Sequence, residues 1–171
     1  LDQDRLAVVV DMTIAPDGSL QDSDVYRAVV RNHAKLAYNS VAAWLEGKAP
    51  LLEAVAALEG LAENLLLQDR VAQMMKSLRH ARGALSLETI EAKPVFKGER
   101  IFDLQVEETN RAKQIIEDFM IAANGVTVRY LAERGIPSIR RVVRVPRRWD
   151  RIVEIAAVHA FKLPKNPNSR K

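Results

Sequence analysis

The densest group of like charges in the sequence is a run of six arginines within a dozen residues. These are Arg140, Arg141, Arg144, Arg147, Arg148 and Arg151. A guanidinium binds phosphate through two parallel hydrogen bonds, and an aromatic ring such as that of Trp149 can stack on a base. The run therefore indicates an anionic partner. Two alternatives stay open: the arginines can pair with carboxylates elsewhere in a longer protein, and Trp149 can belong to the core.

The charge distribution along the chain also favours an anionic partner at this end. The 171 residues carry a net charge of +4 at pH 7. Residues 134–171 hold 11 of the 26 basic side chains and only 2 of the 22 acidic ones, so the preceding residues are acidic overall. A basic segment on an acidic body attracts anions, and a solvated, charge-rich surface is the alternative.

A second candidate is Glu117, in a segment with the spacing of a long helix. One face of that helix carries Ala112, Ile115, Ile116, Phe119, Ala123, Val126 and Tyr130. The opposite face carries Glu117 and Asn124 together with Ile121 and Val128. Because two apolar residues are unfavourable in water, we expect this face to be covered and Glu117 to be partly buried. A partly buried carboxylate is often functional, and hydrogen bonding to helix neighbours is its alternative role.

Tyr38 stands just before a short predicted helix that Asn39 or Ser40 can cap. From its position alone, the tyrosine fits a hydrophobic staple onto Ala42 or Ala43. Nothing in the local pattern requires a functional role for it.

Several kinds of chemistry find no support in the sequence. There is no cysteine, which excludes disulfides and thiolate chemistry and fits a reducing compartment. His33, His80 and His159 are far apart and lack the spacing of metal ligands or of a Ser-His-Asp arrangement. We find no phosphate-binding glycine loop and no tight Asp and Glu cluster that could hold two cations, so we expect no metal site in this chain. No apolar run is long enough to cross a membrane.

The elements that must position these residues alternate between strands and helices. Predicted strands run through residues 6–14 and 25–30, joined by a turn at Asp17 and Gly18, and through residues 85–90, 94–97, 101–106 and 139–145. Predicted helices follow Asn39, span residues 51–82 with a division at Gly60, span residues 108–134, and begin again at Pro146. The fold class is therefore α+β, with a mixed, mainly antiparallel sheet packed against long helices.

Three segments carry a resemblance to a known family. They are HAKLAY at residues 33–38, RGAL at residues 82–85 and NRAKQIIEDFMIAAN at residues 110–124. Their joint order and spacing resemble the catalytic domain of the ribonuclease II / ribonuclease R family of 3′→5′ exoribonucleases. The IEDFMIAAN stretch is the most specific element. The resemblance extends over nearly the whole chain, and we expect residues 1–161 to form part of an RNB-type catalytic domain and residues 162–171 to form a linker-like tail.

The resemblance implies a hydrolase that threads single-stranded RNA into a channel and releases nucleoside 5′-monophosphates, with Mg²⁺ as cofactor of the full-length parent. It implies that Tyr38 is the active-site tyrosine that packs on the 3′-terminal nucleotide. It also implies that Glu117 is the active-site glutamate that contacts and positions that nucleotide. Arg140, Arg141 and Arg144 are the arginines we expect to touch RNA.

The sequence departs from the family's pattern in two ways. Leu87 stands where the family usually has a phenylalanine that clamps the stacked 3′ bases. The family's metal-binding aspartates are expected upstream of Leu1 and its catalytic arginine downstream of Lys171. We therefore expect no metal bound to this chain and no exonuclease activity from it alone, because carboxylate-held cations must polarise the phosphate.

Two other hypotheses compete with this one: a catalytically silent relative that binds RNA or protein, and a structural helical module with an incidental basic tail. Under the exoribonuclease hypothesis we expect a cytoplasmic protein with single-stranded RNA as partner and no membrane association. We also expect self-association if a truncated domain exposes normally buried surface.

Overall fold

The computed structural model describes residues 1–85, 92–106, 109–139 and 146–167. Nine helices and strands lie within these ranges. They are β1 (Asp4–Ile14), β2 (Leu20–Arg31), α1 (Tyr38–Leu45), α2 (Glu53–Ala56), α3 (Leu61–Ala81), β3 (Ala92–Lys97), β4 (Arg100–Val106), α4 (Arg111–Glu133) and α5 (Trp149–Val158). The predicted strands over 85–90 and 139–145 fall largely outside the described residues. So do Leu87, Arg140, Arg141 and Arg144.

The chain forms two compact units, residues 1–136 and 137–171. The first unit contains two antiparallel hairpins, β1–β2 and β3–β4, together with helices α1 to α4. The predicted α+β class with antiparallel strands is therefore confirmed. Within the described ranges the strands form two separate two-stranded sheets. The division into 1–161 and 162–171 remains a prediction.

The turn between β1 and β2 forms where Asp17 and Gly18 predict it. The Asp17 carboxylate accepts hydrogen bonds from the backbone N–H of Ser19 at 2.9 Å and from its hydroxyl at 2.6 Å. Gly18 has a φ of 83°, which favours glycine. A Cβ at this position would lie 2.5 Å from the backbone oxygen of Met74, so the turn rests directly on the backbone of α3.

Helices α3 and α4 pack against each other in a parallel orientation. Asp69 pairs with Arg111 and Arg79 pairs with Asp118, so residues later in one helix meet residues later in the other. Gly60, at the N-terminal end of α3, has a φ of 75°, and the predicted division of the helical region at this glycine is confirmed. The buried apolar residues of these helices are Ala72, Met75, Ala112, Ile115 and Val126.

Helix α1 begins two residues earlier than the earlier of the two predicted caps, Asn39, allows. Its first residue is Tyr38, and Ala37 occupies the N-cap position without a side-chain hydrogen bond. Asn39 does not cap α1, because its Oδ1 accepts a hydrogen bond at 3.1 Å from Asn110, at the start of α4. Val41 and Ala42 then pack on Ala112, which attaches α1 to α4.

The second unit contains α5, which begins at Trp149 and not at the predicted Pro146. Arg148, at its N-cap, has a φ of 60°, a left-handed conformation that ends the preceding turn. The predicted core position of Trp149 is met only in part, since the side chain is partly exposed. Its indole N–H donates a hydrogen bond to the Pro164 carbonyl at 3.1 Å, which holds the following segment against the helix.

Candidate functional site

Tyr38 lies beside the first turns of α4. Its side chain is half exposed and lines an apolar pocket of ≈ 150 Å³. The pocket is formed with Val41 of α1 and with Ala112, Ile115 and Ile116 of α4. Ala42 and Ala43, the predicted partners of a hydrophobic staple, are not among the lining residues. The tyrosine therefore presents an accessible aromatic ring at the edge of an apolar surface.

Glu117 follows Ile116 directly, so the two predicted site residues lie around the same N-terminal half of α4. The expectation that Glu117 is partly buried is wrong. Glu117 and Asn124 are exposed, and Ile121 on the same face is 41% exposed. Among the described residues the Glu117 carboxylate makes no hydrogen bond or ion pair. Ile121, one turn later on the same face, lies beside the β1–β2 turn and α3.

The buried face of α4 is rotated relative to the sequence prediction. Ile116, predicted to face the core, is 47% exposed, whereas Asp118 is buried. The physical reason is the ion pair from Arg79 of α3 to Asp118, at 2.6 Å. A buried carboxylate is costly unless it is paired, so this contact holds Asp118 inward and its neighbour Glu117 outward.

A second ion pair lies near the start of α4. The Arg111 Nε donates to Asp69 at 3.0 Å, and its Nη2 also bonds this carboxylate, so the contact is bidentate. Hydrogen bonding to Asp69 raises the pKa of Arg111 above its ordinary value. The sequence patterns did not single out Asp69 or Asp118. Their spacing could have indicated burial, because Asp69 lies three residues before the buried Ala72 and Asp118 lies three residues after the buried Ile115.

The start of α4 is tied directly to α1. Asn110 caps α4 by accepting a hydrogen bond from the Lys113 N–H at 3.0 Å, and its Nδ2 donates to Asn39 at 3.1 Å. Glu46, at the end of α1, bonds Lys48 at 2.7 Å and accepts from the Arg111 N–H at 3.4 Å. The hydrogen bond from Lys48 is the main cause that lowers the pKa of Glu46. These contacts set the position of Tyr38 relative to Glu117.

The two side chains offer two kinds of contact. An accessible aromatic ring can pack on a base, and an exposed carboxylate can accept hydrogen bonds from sugar hydroxyls. Among the described residues, no group of three or more His, Asp or Glu side chains is placed to hold a metal ion. These described residues therefore do not form a divalent-cation centre. None of the helices in the described ranges has the length and apolar content needed to span a bilayer.

Comparison with known proteins gives relatives named ribonuclease R. The chain is 36% identical over 144 residues to "Ribonuclease R" of Vibrio parahaemolyticus and 34% identical over 141 residues to "Ribonuclease R" of Escherichia coli. These matches cover 84% and 81% of the chain but 17% of each relative, so the chain spans about a sixth of their length. The structure of "Mycoplasma genitalium RNase R in complex with ribose methylated single-stranded RNA" matches with a TM-score of 0.82 and 20% identity. That match covers 97% of this chain and 26% of the other.

The sequence model of the RNB domain matches residues 1–169, nearly the whole length. The structural match covers the described hairpins and helices with the same fold. The resemblance inferred from the HAKLAY, RGAL and IEDFMIAAN segments is therefore confirmed, and the chain belongs to the RNB domain family.

Proposed function

We propose that the chain is the nucleotide-positioning part of a 3′→5′ hydrolytic exoribonuclease that degrades single-stranded RNA to nucleoside 5′-monophosphates. The observation that carries the proposal is the placement of Tyr38 and Glu117 around one end of α4 in a chain of the RNB domain family. The similarity to Mycoplasma genitalium RNase R, whose matched structure is a complex with single-stranded RNA, also supports it.

In this proposal Tyr38 packs on the 3′-terminal nucleotide. The ring has the apolar pocket behind it and is half exposed in front, as a stacking surface requires. Glu117 accepts hydrogen bonds from the terminal sugar hydroxyls. Among the described residues its carboxylate has no competing partner. Substrate hydroxyls would therefore displace only the water that solvates the carboxylate.

Hydrolysis in the whole protein is proposed to require Mg²⁺, held by carboxylates other than those described here. Such ions polarise the phosphate and activate water. The chain by itself is proposed to bind RNA without cleaving it. The absence of cysteine supports a reducing compartment, and we propose the cytoplasm.

The test is binding of the purified chain to a fluorescent single-stranded RNA that ends in either a 3′-hydroxyl or a 3′-phosphate. We expect tighter binding of the 3′-hydroxyl RNA, because a terminal phosphate would repel Glu117. Glu117→Gln should reduce this discrimination about tenfold, since a hydrogen bond to a charged group contributes about 1.5–3 kcal/mol. Tyr38→Leu should weaken both RNAs, because stacking is worth about 1–3 kcal/mol per base.

Asp103→Asn is the matched control, because Asp103 is an exposed carboxylate in β4. It should leave binding and discrimination unchanged. Equal binding of both RNAs by the unmodified chain would contradict the role of Glu117. Release of nucleoside 5′-monophosphates by the chain with Mg²⁺ would contradict the proposed need for residues elsewhere.

Arg140, Arg141 and Arg144 remain predicted RNA contacts. Arg140→Ala with Arg141→Ala should weaken RNA binding at every sequence and reduce the steepness of its salt dependence. Unchanged binding would exclude these two from the interface. Salt-independent or absent RNA binding by the unmodified chain would instead favour the structural helical module.

Self-association is also proposed. One face of the β1–β2 hairpin exposes Leu6, Val8 and Val29, because Leu6 pairs with Val29 across the strands and Val8 is two residues further along β1. Exposed contiguous apolar surface promotes association. A strictly monomeric mass in solution at high micromolar concentration, measured by light scattering, would exclude it.

A further inference from the structure

Two cavities lie where the β1–β2 turn meets α3 and α4. Two adjoining cavities, of ≈ 250 Å³ and ≈ 560 Å³, share four lining residues: Ser19, Leu20, Arg82 and Arg129. We call these two cavities together the turn groove. Small-molecule pockets usually measure about 300–1,000 Å³, so the turn groove is large enough for a small polar ligand.

The smaller cavity combines an apolar floor with a cationic rim. Its apolar lining includes Ile14, Met75 and Ile121, and its charged lining residues are Arg79, Arg82 and Arg129. None of the residues that line this cavity is acidic. The larger cavity is more polar and contains Asp22 and Glu133 besides the two shared arginines. An anionic group is therefore favoured on the smaller-cavity side.

The shared arginines are available to a ligand. Arg79 is engaged with Asp118 at 2.6 Å. Arg82 and Arg129 are solvent-accessible, and within the described residues neither side chain makes a hydrogen bond or an ion pair. Asp17 is near enough for Arg82 to contribute, as the smallest of several causes, to lowering the pKa of that carboxylate. The main partner of Asp17 is Ser19, which donates a hydrogen bond to the carboxylate at 2.6 Å.

Gly125 supports an open groove for a ligand. It sits in the interior of α4, where glycine lowers helix stability relative to alanine. A Cβ there would meet only the Arg129 guanidinium, at 3.7 Å, so packing among the described residues does not require glycine. Its missing side chain keeps the smaller cavity open beneath Arg129.

The groove adjoins the face that carries Glu117. Glu117 and Ile121 are one helical turn apart and therefore share a face, and Ile121 lines the smaller cavity. Glu117 and the turn groove therefore lie along the same face of α4.

We infer that the turn groove binds one nucleotide of single-stranded RNA, with a phosphate on Arg82 and Arg129 and the base against the apolar floor of the smaller cavity. The inference rests on the proposed RNA-directed function for its ligand. A planar base needs an apolar surface, and a phosphate oxygen pair matches the guanidinium fork. The smaller cavity offers both.

The test uses the ¹⁵N-labelled 171-residue chain with adenosine 5′-monophosphate, adenosine and inorganic phosphate as probes. The backbone amides of Gly18, Ser19 and Gly125 report on the groove. We expect saturable shifts of these amides with adenosine 5′-monophosphate, and affinities at least about tenfold weaker for adenosine and for phosphate. Arg82→Ala with Arg129→Ala should weaken nucleotide binding at least about tenfold.

Arg70→Ala is the matched control. Arg70 is an exposed arginine of α3 that does not line either cavity. Its variant should bind the nucleotide as the unmodified chain does. Because Arg82 and Arg129 are solvent-accessible, their variants should keep the fold, which circular dichroism checks. If the double variant unfolds, the single variants Arg82→Gln and Arg129→Gln replace it. Each of them should lose part of the affinity for adenosine 5′-monophosphate.

Three results would overturn the inference: no shift at the reporter amides, nucleotide binding that survives loss of both arginines, or phosphate binding as tight as nucleotide binding. A different set of results would contradict the proposed function and leave this inference intact. In that case single-stranded RNA binds without dependence on Tyr38 or Glu117, or does not bind, while the groove still binds the nucleotide. For RNA itself, the double variant should reduce the magnitude of the salt slope by about 0.7 for each phosphate that the groove no longer neutralises.

Discussion

Arg79 and Asp118 form an ion pair of 2.6 Å between α3 and α4, in which the two partners are unequally buried. The Asp118 side chain is 4% exposed and the Arg79 side chain 28%. Water can therefore solvate the arginine if it loses its partner but can hardly reach the carboxylate. Since Asp118 directly follows Glu117, this pair also determines which way Glu117 faces.

The unequal burial predicts unequal costs of removing each partner. Arg79→Leu should lower the free energy of unfolding by about 3–5 kcal/mol, because it leaves a buried carboxylate unpaired. Asp118→Leu should cost less, about 1–3 kcal/mol, because the remaining guanidinium can contact water. Urea unfolding measures both values, and the double variant should recover part of the loss. A larger cost for Asp118→Leu than for Arg79→Leu would contradict this account.

The close packing of the β1–β2 turn on α3 predicts that adding a methyl group at Gly18 strongly lowers the free energy of unfolding. Gly18→Ala combines a left-handed φ of 83° with a Cβ only 2.5 Å from the Met74 backbone oxygen. Gly98 is the matched control, because its φ is 66° and nothing lies within 4 Å of its added Cβ. Gly98→Ala should cost only the left-handed conformation, about 1–2 kcal/mol, and Gly18→Ala clearly more. Equal losses in thermal or urea unfolding would show that the turn can move away from α3.

Asp17 predicts a dependence of stability on acid pH. Hydrogen bonds from Ser19 lower the pKa of Asp17 below its ordinary value of 3.8. A carboxylate whose pKa is depressed by folding adds stability above the unfolded pKa, and this stability is lost as the pH falls through the folded pKa. Ser19→Ala should therefore raise the Asp17 pKa, as measured by NMR titration.

The stability difference between the unmodified chain and Ser19→Ala should shrink as the pH falls below about 4. A difference that stays constant from neutral pH down to about pH 2 would mean that the hydroxyl acts without regard to the charge of Asp17. Ser77→Ala, an exposed serine of α3, controls for the loss of a hydroxyl.

The hydrogen bond between Asn110 at the start of α4 and Asn39 in α1 predicts that the effects of substituting them on stability are coupled. Asn110→Ala should cost about 1 kcal/mol, because it removes the helix cap. Asn39→Ala should cost less, since it removes only the hydrogen bond at 3.1 Å to Asn110. In a double-mutant cycle, Asn39→Ala should have no further effect once Asn110 is alanine. Additive losses would mean that the bond between the two side chains contributes nothing in solution.

The sequence alone was sufficient to predict much of the local structure. The β-branched run before Asp17 and Gly18 predicts the first hairpin, which spans Asp4–Ile14 and Leu20–Arg31. The helix predicted over 108–134 is observed over Arg111–Glu133. These predictions hold because periodicity, turn residues and helix-stopping glycines act over a few residues.

The orientation of the candidate site could not be predicted in this way. Hydrophobic periodicity placed Ile116 inward and Glu117 on a covered face, and both expectations are wrong. The missing information was the partner of a charged residue: Arg79 lies 39 positions from Asp118 in sequence. The same holds for Asn39, whose local role as a helix cap is replaced by a bond to Asn110.

The sequence by itself therefore predicted the first hairpin and the long helices, and through the family resemblance it named Tyr38 and Glu117 as candidate site residues. Only the tertiary structure decided which faces are buried and that Arg82 and Arg129 meet at one groove. The physical reason is that helix and strand formation depends on near neighbours, whereas burial of charge depends on partners that distant parts of the chain supply.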